Sequence, residues 1–266
     1  MNLYPSSSLV ISTYNWPEAL ELVLLSLINQ TVLPNEVIIA DDGSTEKTKT
    51  LIDDFKKKIA IPLTHVWHED NGFQKSIIMN KAIAIAKNDY IIEIDGDIIM
   101  EENFIKDHLS FAKKGNYLFG SRVNIQENLL PNLYQNKLTG FNFFSNGIKK
   151  RSRTIRFPLL MQLSAETEIM SSKLRGCNVS FWKDDFIKIN GYNENLTGWG
   201  KEDSEMVQRL HNIGIKGKRL KFAGIVFHIY HNELSKNRLE INNTIEKETL
   251  EKKIKFAEKG INQYLQ

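Results

Sequence analysis

A chain of 266 residues that is 41% apolar and 25% charged has enough material for a buried core, and this composition excludes a disordered or fibrous protein. Its 35 basic and 32 acidic side chains leave a formal charge of +3, too near balance for a dedicated nucleic-acid binder with one basic face. No apolar run reaches the roughly 18 residues of a membrane span, because the richest stretch, Ala82 to Met100, is broken by Lys87, Asp89, Glu93, Asp95 and Asp97.

From the amino terminus, apolar strand-like runs alternate with helical patterns, the rhythm of a parallel sheet covered by helices. Ser8 to Ser12 is short, apolar and β-branched, and Pro17 then opens a helix whose Leu20, Leu24, Leu27 and Ile28 share one face. Val37 to Ala40 is the second strand, followed by a helix from Thr45 to about Lys58 and a strand at Leu63 to Trp67. A helix from Ser76 to Ala86 and a buried strand from Tyr90 to Ile94 complete the pattern. Ligands of open α/β sheets sit beyond the carboxyl ends of the strands, so Thr13 to Asn15, Asp41 to Ser44, His68 to Lys75 and Asp95 to Asp97 should converge on one rim.

After Arg122 the rhythm breaks, and residues 123–165 read as an insertion or mobile lid. Order returns with a strand at Asn178 to Trp182, a helix from Asp184 to Ile189, a glycine-rich turn from Gly191 to Gly200 and a helix from Lys201 to about Asn212. Between Glu246 and Gln266, Leu250, Ile254, Ala257 and Ile261 stand at helical spacing, which predicts a C-terminal helix docking one stripe. The Met1 to Pro5 start has neither a basic region nor an apolar stretch, and the single Cys177 makes no internal disulfide; a reducing, cytoplasmic location is expected.

Asp95-Gly96-Asp97 places two carboxylates within one turn around a glycine that lets the backbone fold tightly, a candidate divalent-cation site or else a polar turn that solvates itself. Asp41-Asp42-Gly43-Ser44 offers a carboxylate to a uracil N–H or ribose hydroxyl, or an N-cap to the following helix. His228 and His231 add imidazole, which beside aspartate favours a borderline metal such as Mn²⁺ over a purely oxygen-loving ion such as Mg²⁺. Residues three apart on a strand face opposite ways, so both reach one ion only if the strand ends near Ile229; His231, nearer the polar exit, is the first choice. The alternative is a hydrogen-bonded, buried His228 and an exposed His231. His65 and His68, spaced the same way, read as structural.

Gly198-Trp199-Gly200-Lys201-Glu202-Asp203 precedes the apolar Met206, Val207 and Leu210. Acidic residues in a first helical turn suit the helix macrodipole by themselves. An aromatic platform followed by two carboxylates also suits a sugar site, where the indole stacks on a pyranose, carboxylates grip hydroxyls, and one of them can deprotonate an attacking hydroxyl. From Lys137 to Arg156 there are six basic residues and no acidic one, with Phe141, Phe143 and Phe144 interleaved and Phe157 just beyond. That stretch predicts either contact with anionic membrane headgroups, the aromatics and Leu159, Leu160 and Met161 entering the interface, or a cationic lid over a ligand diphosphate.

Val10-Ile11-Ser12-Thr13-Tyr14-Asn15, Ile39-Ala40-Asp41-Asp42-Gly43-Ser44, Asp70-Asn71-Gly72-Phe73-Gln74-Lys75 with Asn80-Lys81-Ala82, and Ile94-Asp95-Gly96-Asp97 follow in this order. Through them the chain resembles the GT-A glycosyltransferases of family 2, inverting enzymes that use nucleotide-sugars. From Arg175-Gly176-Cys177-Asn178-Val179-Ser180 through Asn190-Gly191-Tyr192 and Gly198 to Asp203, and on to Tyr230-His231, it is similar to the carboxyl-terminal part of β-1,4-galactosyltransferases and bacterial chondroitin-type polymerases. The resemblance covers Ser8 to about Asn237. It implies an α/β GT-A fold, Rossmann-like with a mostly parallel central sheet and helices on both faces, as a single catalytic domain with a C-terminal helix. Residues 1–122 would form the donor half, 123–165 the insertion or lid, 166–240 the acceptor and catalytic half, and 241–266 the final helix.

The same resemblance implies that Thr13, Asn15 and Asp41 or Asp42 hold the uridine of a UDP-sugar, with Lys75 near ribose or diphosphate, Asp95 on ribose and metal, and Arg175 on the donor side. Asp97 and His231 would ligate Mn²⁺, with Mg²⁺ as substitute; His228 stands where the galactosyltransferases place a methionine ligand. Trp199 and Glu202 would bind the acceptor, a saccharide either free or lipid-linked, and Asp203 would act as the base, giving a β-linkage in a surface polysaccharide or glycan. The chain departs from the polymerases in carrying one catalytic domain and no signal anchor, so polymerisation by it alone is not expected, and any membrane contact would be peripheral, at the inner face. Two other readings stay open. A sugar nucleotidyltransferase would want a glycine-rich basic loop where Thr13-Tyr14-Asn15-Trp16-Pro17 stands, and a non-catalytic sugar-binding module would keep Trp199 without needing Asp97 and Asp203 together.

Overall fold

Every residue of β1 (Ser7–Thr13) is buried, as an apolar run without alternation requires of a strand covered on both faces. It pairs in parallel with β2 (Glu36–Asp41) and β4 (Tyr90–Asp95), and β2 pairs in parallel with β3 (Leu63–Trp67). The connecting helices are α1 (Pro17–Ile28), α2 (Glu46–Lys56) and α3 (Lys75–Ile85). Successive side chains of a strand point to opposite faces, so each strand feeds two cores. Leu9, Ile11, Val37, Ile39 and Ile92 pack with Leu20, Leu24 and Leu27 of α1 and Ile52 and Phe55 of α2. Val10, Ile38 and Ile91 pack with Ile78, Met79 and Ile83 of α3. The structure, a computed structural model, describes residues 3–232 and 237–265.

Along the rest of the chain come β5 (Ile98–Met100), α4 (Phe104–Phe111), β6 (Asn116–Phe119), β7 (Arg122–Ile125), α5 (Leu130–Gln135), β8 (Ile148–Lys149), α6 (Pro158–Met161), β9 (Glu166–Thr167), β10 (Val179–Trp182), α7 (Lys183–Lys188), α8 (Glu202–Asn212), β11 (Lys216–Arg219), β12 (Val226–His228) and α9 (Leu239–Glu251). The larger sheet has the order β3-β2-β1-β4-β10-β6-β11-β9, and a smaller one the order β5-β12-β7-β8. The chain winds outward from β1 through β2 to β3 and then places β4 on the other side of β1, so the carboxyl ends of β1 and β4 flank a topological switch point, where an open sheet holds its ligand. Beyond β4 the sheet is mixed, with β10 antiparallel to both β4 and β6.

Two segments take a form that their sequence patterns do not announce. Residues 123–165 are built into the fold: β7 pairs in parallel with β12, β8 with β7, and Ile125, Leu133 and Ile148 pack with Ile99 and Phe227, onto which Phe141 packs at 4.9 Å. Elements this short cannot repeat a pattern, so no periodicity marks them. The C-terminal helix is present as α9 but ends at Glu251, where Lys253 takes up a positive φ of 51°. Beyond it Ala257 and Ile261 are buried outside any α-helix, docked by backbone bonds to the carbonyls of Ile189 (3.1 Å) and Asn190 (3.0 Å), while Leu250 is exposed. Gln266 lies outside the described residues. No helix among the described residues is long and apolar enough to cross a membrane.

Candidate active site

From Asp95 the chain turns through Gly96 and Asp97 into β5. Close approach demands the glycine there: its amide donates to the Ser12 carbonyl at 2.6 Å, and a Cβ would lie 2.8 Å from that oxygen. Asp95 Oδ1 accepts from Ser12 Oγ (2.8 Å) and Lys75 Nζ (2.7 Å). β5 runs antiparallel to β12 with Ile98 opposite His228, and the Ile229 amide donates to the Asp97 carbonyl at 3.0 Å. The strand therefore ends in time for His231 to swing back. Nε2 of His228 and Nε2 of His231 lie 3.2 and 3.3 Å from Asp97 Oδ2, and one ligand atom from each of the three residues falls within 4.8 Å of the others.

The His231 Nδ1–H donates to the Asn232 carbonyl at 2.7 Å, which fixes the ring and turns Nε2 toward Asp97; Trp16 stands edge-on to the ring at 6.0 Å. Burial opposes ionisation of Asp97, yet hydrogen bonds from His228 and His231 hold it well below the usual carboxylate range, and the same contact raises the pKa of His231. Asp97 Oδ1 is buried with no protein partner. Two imidazole nitrogens beside an unsatisfied carboxylate oxygen form the donor set of a borderline divalent ion.

Positive φ values at Gly198 (71°) and Gly200 (102°) turn the chain sharply into α8, whose first two residues are Glu202 and Asp203. A buried ion pair anchors that helix: Arg209 donates to Glu205 at 2.9 and 2.7 Å and also to the carbonyls of Ile189 (2.5 Å) and Gly191 (2.7 Å). α3 is tied to the same turn by Asn80, which donates to the Tyr192 carbonyl at 2.9 Å and accepts from its amide at 2.8 Å. Lys75, the first residue of α3, consequently reaches between two elements, 2.7 Å from Asp95 and 4.0 Å from Glu202.

One ammonium is thus shared among several carboxylates. Burial disfavours its charge, but Asp95, Asp203, Glu202 and Glu93 together keep Lys75 well above its ordinary value. Burial, reinforced by Asp203, pushes Glu202 up to about 7, and burial pushes Glu93 up to about 8 despite the Tyr192 hydroxyl donating to it at 2.8 Å. Burial also raises Asp203, against the attraction of Lys75. Glu202 Oε2 and Asp203 Oδ1 are buried without partners. Carboxylates raised in this way accept protons more readily at neutral pH than free ones.

The other predicted residues spread along the rim. Asp41 is fully buried, with both oxygens engaged by the Ser44 amide (2.8 Å) and His65 Nε2 (2.9 Å). Asp42 is held by His68 Nε2 (2.7 Å) and the Gln74 amide (2.8 Å). His65 and His68 therefore do the structural work expected of them. Thr13 is buried at the end of β1, and the exposed Asn15 accepts from the Thr45 amide at 2.9 Å. Trp199 lies between its two glycines, 39% exposed. Arg175 folds back to donate to the carbonyls of Ser172 and Leu174, on the far side of Gly176 from Cys177. Sequence reasoning missed the Glu93–Tyr192 pair, whose only signal was a carboxylate inside an otherwise apolar strand, and missed the seat that Gly176 forms for Asp203.

Residues 8–170, which hold the β1, β2 and β4 rim with Lys75, Asp95 and Asp97, match the model described as glycosyl transferase family 2. The chain belongs to this family. Residues 161–232, which hold Gly176, Glu202, Asp203, His228 and His231, match a second model, described as the N-terminal domain of galactosyltransferase. Among relatives, this family 2 chain is 28% identical over 223 residues to a hyaluronan synthase of Pasteurella multocida, covering 78% of the chain and 23% of that protein. It spans between 22% and 32% of the length of the hyaluronan and chondroitin synthases it matches. Its GT-A fold is shared with S. aureus TarS 1–349 in complex with UDP, at TM-score 0.64 and 15% identity over 97% of this chain and 68% of that one. It is shared also with the mannosyltransferase PcManGT from Pyrobaculum calidifontis in complex with GDP-Man and Mn²⁺, at TM-score 0.57 and 18% identity over 85% of this chain and 57% of that one.

Proposed function

We propose that this chain transfers a sugar from a UDP-sugar to a saccharide hydroxyl with inversion, and that Mn²⁺ assists. The observation that carries the reading is Lys75, which stands 2.7 Å from Asp95 of the Asp95-Gly96-Asp97 turn and 4.0 Å from Glu202, the neighbour of Asp203 at the start of α8, so that one ammonium joins the metal-binding turn to the first turn that carries the candidate base. Asp97, His228 and His231 would hold the ion, the imidazoles favouring Mn²⁺ over Mg²⁺. When bound, it supplies Lewis-acid neutralisation of the charge that builds on the departing diphosphate.

Asp203 accepts the proton of the acceptor hydroxyl as that oxygen attacks the anomeric carbon. The bond from that carbon to the diphosphate breaks on the opposite face and its electron pair leaves with UDP, so an α-linked donor gives a β-glycoside. Glu202 and Trp199 orient the acceptor sugar, while Lys75 and Asp95 face the donor. Thr13, Asn15 and Asp41 or Asp42 border the uridine end, each carboxylate held in place by a histidine and a backbone amide. The TarS complex with UDP and the PcManGT complex with GDP-Man and Mn²⁺ support a nucleotide-sugar donor and a metal at this crevice. The test is incubation with a panel of UDP-sugars, and with GDP-mannose as the rival donor, in the presence of Mn²⁺ while scoring nucleotide release. UDP release dependent on Mn²⁺ supports the proposal; release from GDP-mannose alone, or from no donor, overturns it.

A peripheral membrane contact belongs to the same proposal. Phe141 packs into the fold, but Phe143, Phe144, Phe157, Leu159 and Leu163 are exposed in the segment that carries Lys149, Lys150 and Arg151. Apolar side chains beside cations suit an anionic interface where a lipid-linked acceptor would be met.

A further inference from the structure

Several cations take no part in the mechanism above yet gather beside it. Arg122 opens β7, Arg219 closes β11, Lys150 and Arg153 follow β8, and Arg175 immediately precedes the Gly176 that seats Asp203. Hydrogen bonds draw them together: Arg153 donates to the Arg122 carbonyl (2.8 Å), Arg122 Nη1 reaches Cys177 Sγ (3.8 Å), and Arg219 Nη2 donates to Ser121 Oγ (2.7 Å). Arginines such as Arg156 and Arg209 have carboxylate partners, whereas among the described residues no carboxylate forms an ion pair with any of these five. The Arg219 Nε is buried with no acceptor at all. Burial, then the charges of Arg153, Arg122 and Arg175, lowers the pKa of Lys150; burial, then Arg219, Arg175 and Arg122, lowers that of Arg153. Like charges held together at this cost to one another call for an anion.

We propose that Arg122, Lys150, Arg153, Arg175 and Arg219 form a binding site for a phosphate group carried by the acceptor. The proposal rests on the reading of Asp203 as the base, because Arg175 directly precedes the Gly176 that seats that carboxylate. Arg122 marks the near end of the cluster, close enough to the metal turn for its charge to act on His231, and the cluster extends from there away from the donor. The donor's uridine end lies at Asp42 beyond β2, whereas Arg219 is on β11, three strands past β4 and so about 14 Å across the sheet from the Asp95-Gly96-Asp97 turn. The phosphate belongs either to a lipid carrier or to a phosphorylated saccharide. For the first, an apolar surface is at hand: Met161 of α6 packs on Leu118 and Leu220, next to Arg219, leaving Leu159 and Leu160 turned outward.

Calorimetric titration of the full chain with geranyl diphosphate and, separately, with glucose 6-phosphate, in EDTA and without nucleotide, tests this. At least one probe should bind the wild-type chain and bind Lys150→Gln and Arg153→Gln about tenfold or more weakly, as loss of a charge-assisted contact predicts. Lys150 is exposed, so its variant keeps the fold, and UDP affinity with Mn²⁺ should be unchanged in both. Binding of geranyl diphosphate alone assigns the phosphate to a lipid carrier, and binding of glucose 6-phosphate assigns it to a saccharide. Absence of binding by either probe, equal affinity in both variants, or displacement of the probe by UDP and Mn²⁺ overturns the proposal. Failure of the wild-type chain to bind UDP would remove the donor reading while leaving the phosphate titration interpretable.

Discussion

Asp203 rests directly on Gly176: a methyl group on the Gly176 Cα would stand 1.9 Å from the Cγ of the aspartate. The carboxylate is therefore placed jointly by the first turn of α8 and by the loop that enters β10. Gly176→Ala should displace it and lower sugar transfer by a factor on the order of a hundred to ten thousand, as Asp203→Asn should by removing the base. Titration with UDP should give wild-type affinity for both variants. Transfer at a wild-type rate by Asp203→Asn would leave that residue a first-turn carboxylate serving the helix dipole.

Asp97 is held between two imidazoles, and its Oδ1 has no protein partner. Asp97→Ala should abolish the Mn²⁺-dependent part of UDP binding while the circular dichroism spectrum stays that of the wild type. Mn²⁺-dependent affinity that survives in the folded variant would place the ion elsewhere.

His108 provides a pH dependence of stability that is separate from the site. The amide nitrogen of Asn178 donates to the carbonyls of Ser121 and Gly224, so its Oδ1 accepts from His108 Nε2 at 3.1 Å; Nδ1 then accepts from Ser180, 2.7 Å away. The ring must be neutral, and burial lowers its pKa from 6.5 to about 3. A pKa depressed on folding contributes stability that is present above pH 6.5 and lost as pH falls through the window down to about 3. The wild-type chain should lose up to about 1.4 kcal/mol per pH unit from this group below pH 6.5. Urea midpoints at pH 7 and pH 5 should show a smaller acid loss for His108→Gln than for the wild type; parallel losses would assign the acid sensitivity to other groups.

Phe144 is 84% exposed, Leu159 70% and Leu163 79%, in the segment that also carries the exposed Lys149 and Lys150. The chain should co-sediment with liposomes in proportion to their anionic lipid and be released by salt. Phe144→Ser combined with Leu163→Ser should weaken that binding without changing UDP affinity. A chain that stays in the supernatant at low salt has no such surface.

The first half of the fold and much of the candidate site are written locally in the chain. β1, β2 and β4 are buried along nearly their whole length, so their centres run apolar apart from Glu93, while the outer strand β3 is half-exposed; the buried three end in the polar residues that form the rim. Asp95-Gly96-Asp97, the paired histidines and Glu202-Asp203 stand out because each is a short run of chemistry at the end of an apolar element. Even the condition for His228 and His231 to meet, a strand ending near Ile229, follows from side-chain alternation, and β12 does end at His228.

Tertiary structure decided the remainder, for reasons of length and distance. β5 to β9, β11 and β12 are two to four residues long, too short for a period to declare itself, and they exist because neighbouring strands complete their hydrogen bonds. The spacing of Leu250, Ile254, Ala257 and Ile261 matches a helix that the chain leaves at Glu251, beyond which backbone bonds to the carbonyls of Ile189 and Asn190 dock the final segment. The seat of Asp203 on Gly176, the burial of Glu93 against Tyr192 and the gathering of Arg122, Lys150, Arg153, Arg175 and Arg219 each join residues from separate elements. Strand register and helix docking bring such residues together, and neither is encoded in the spacing of residues along the chain.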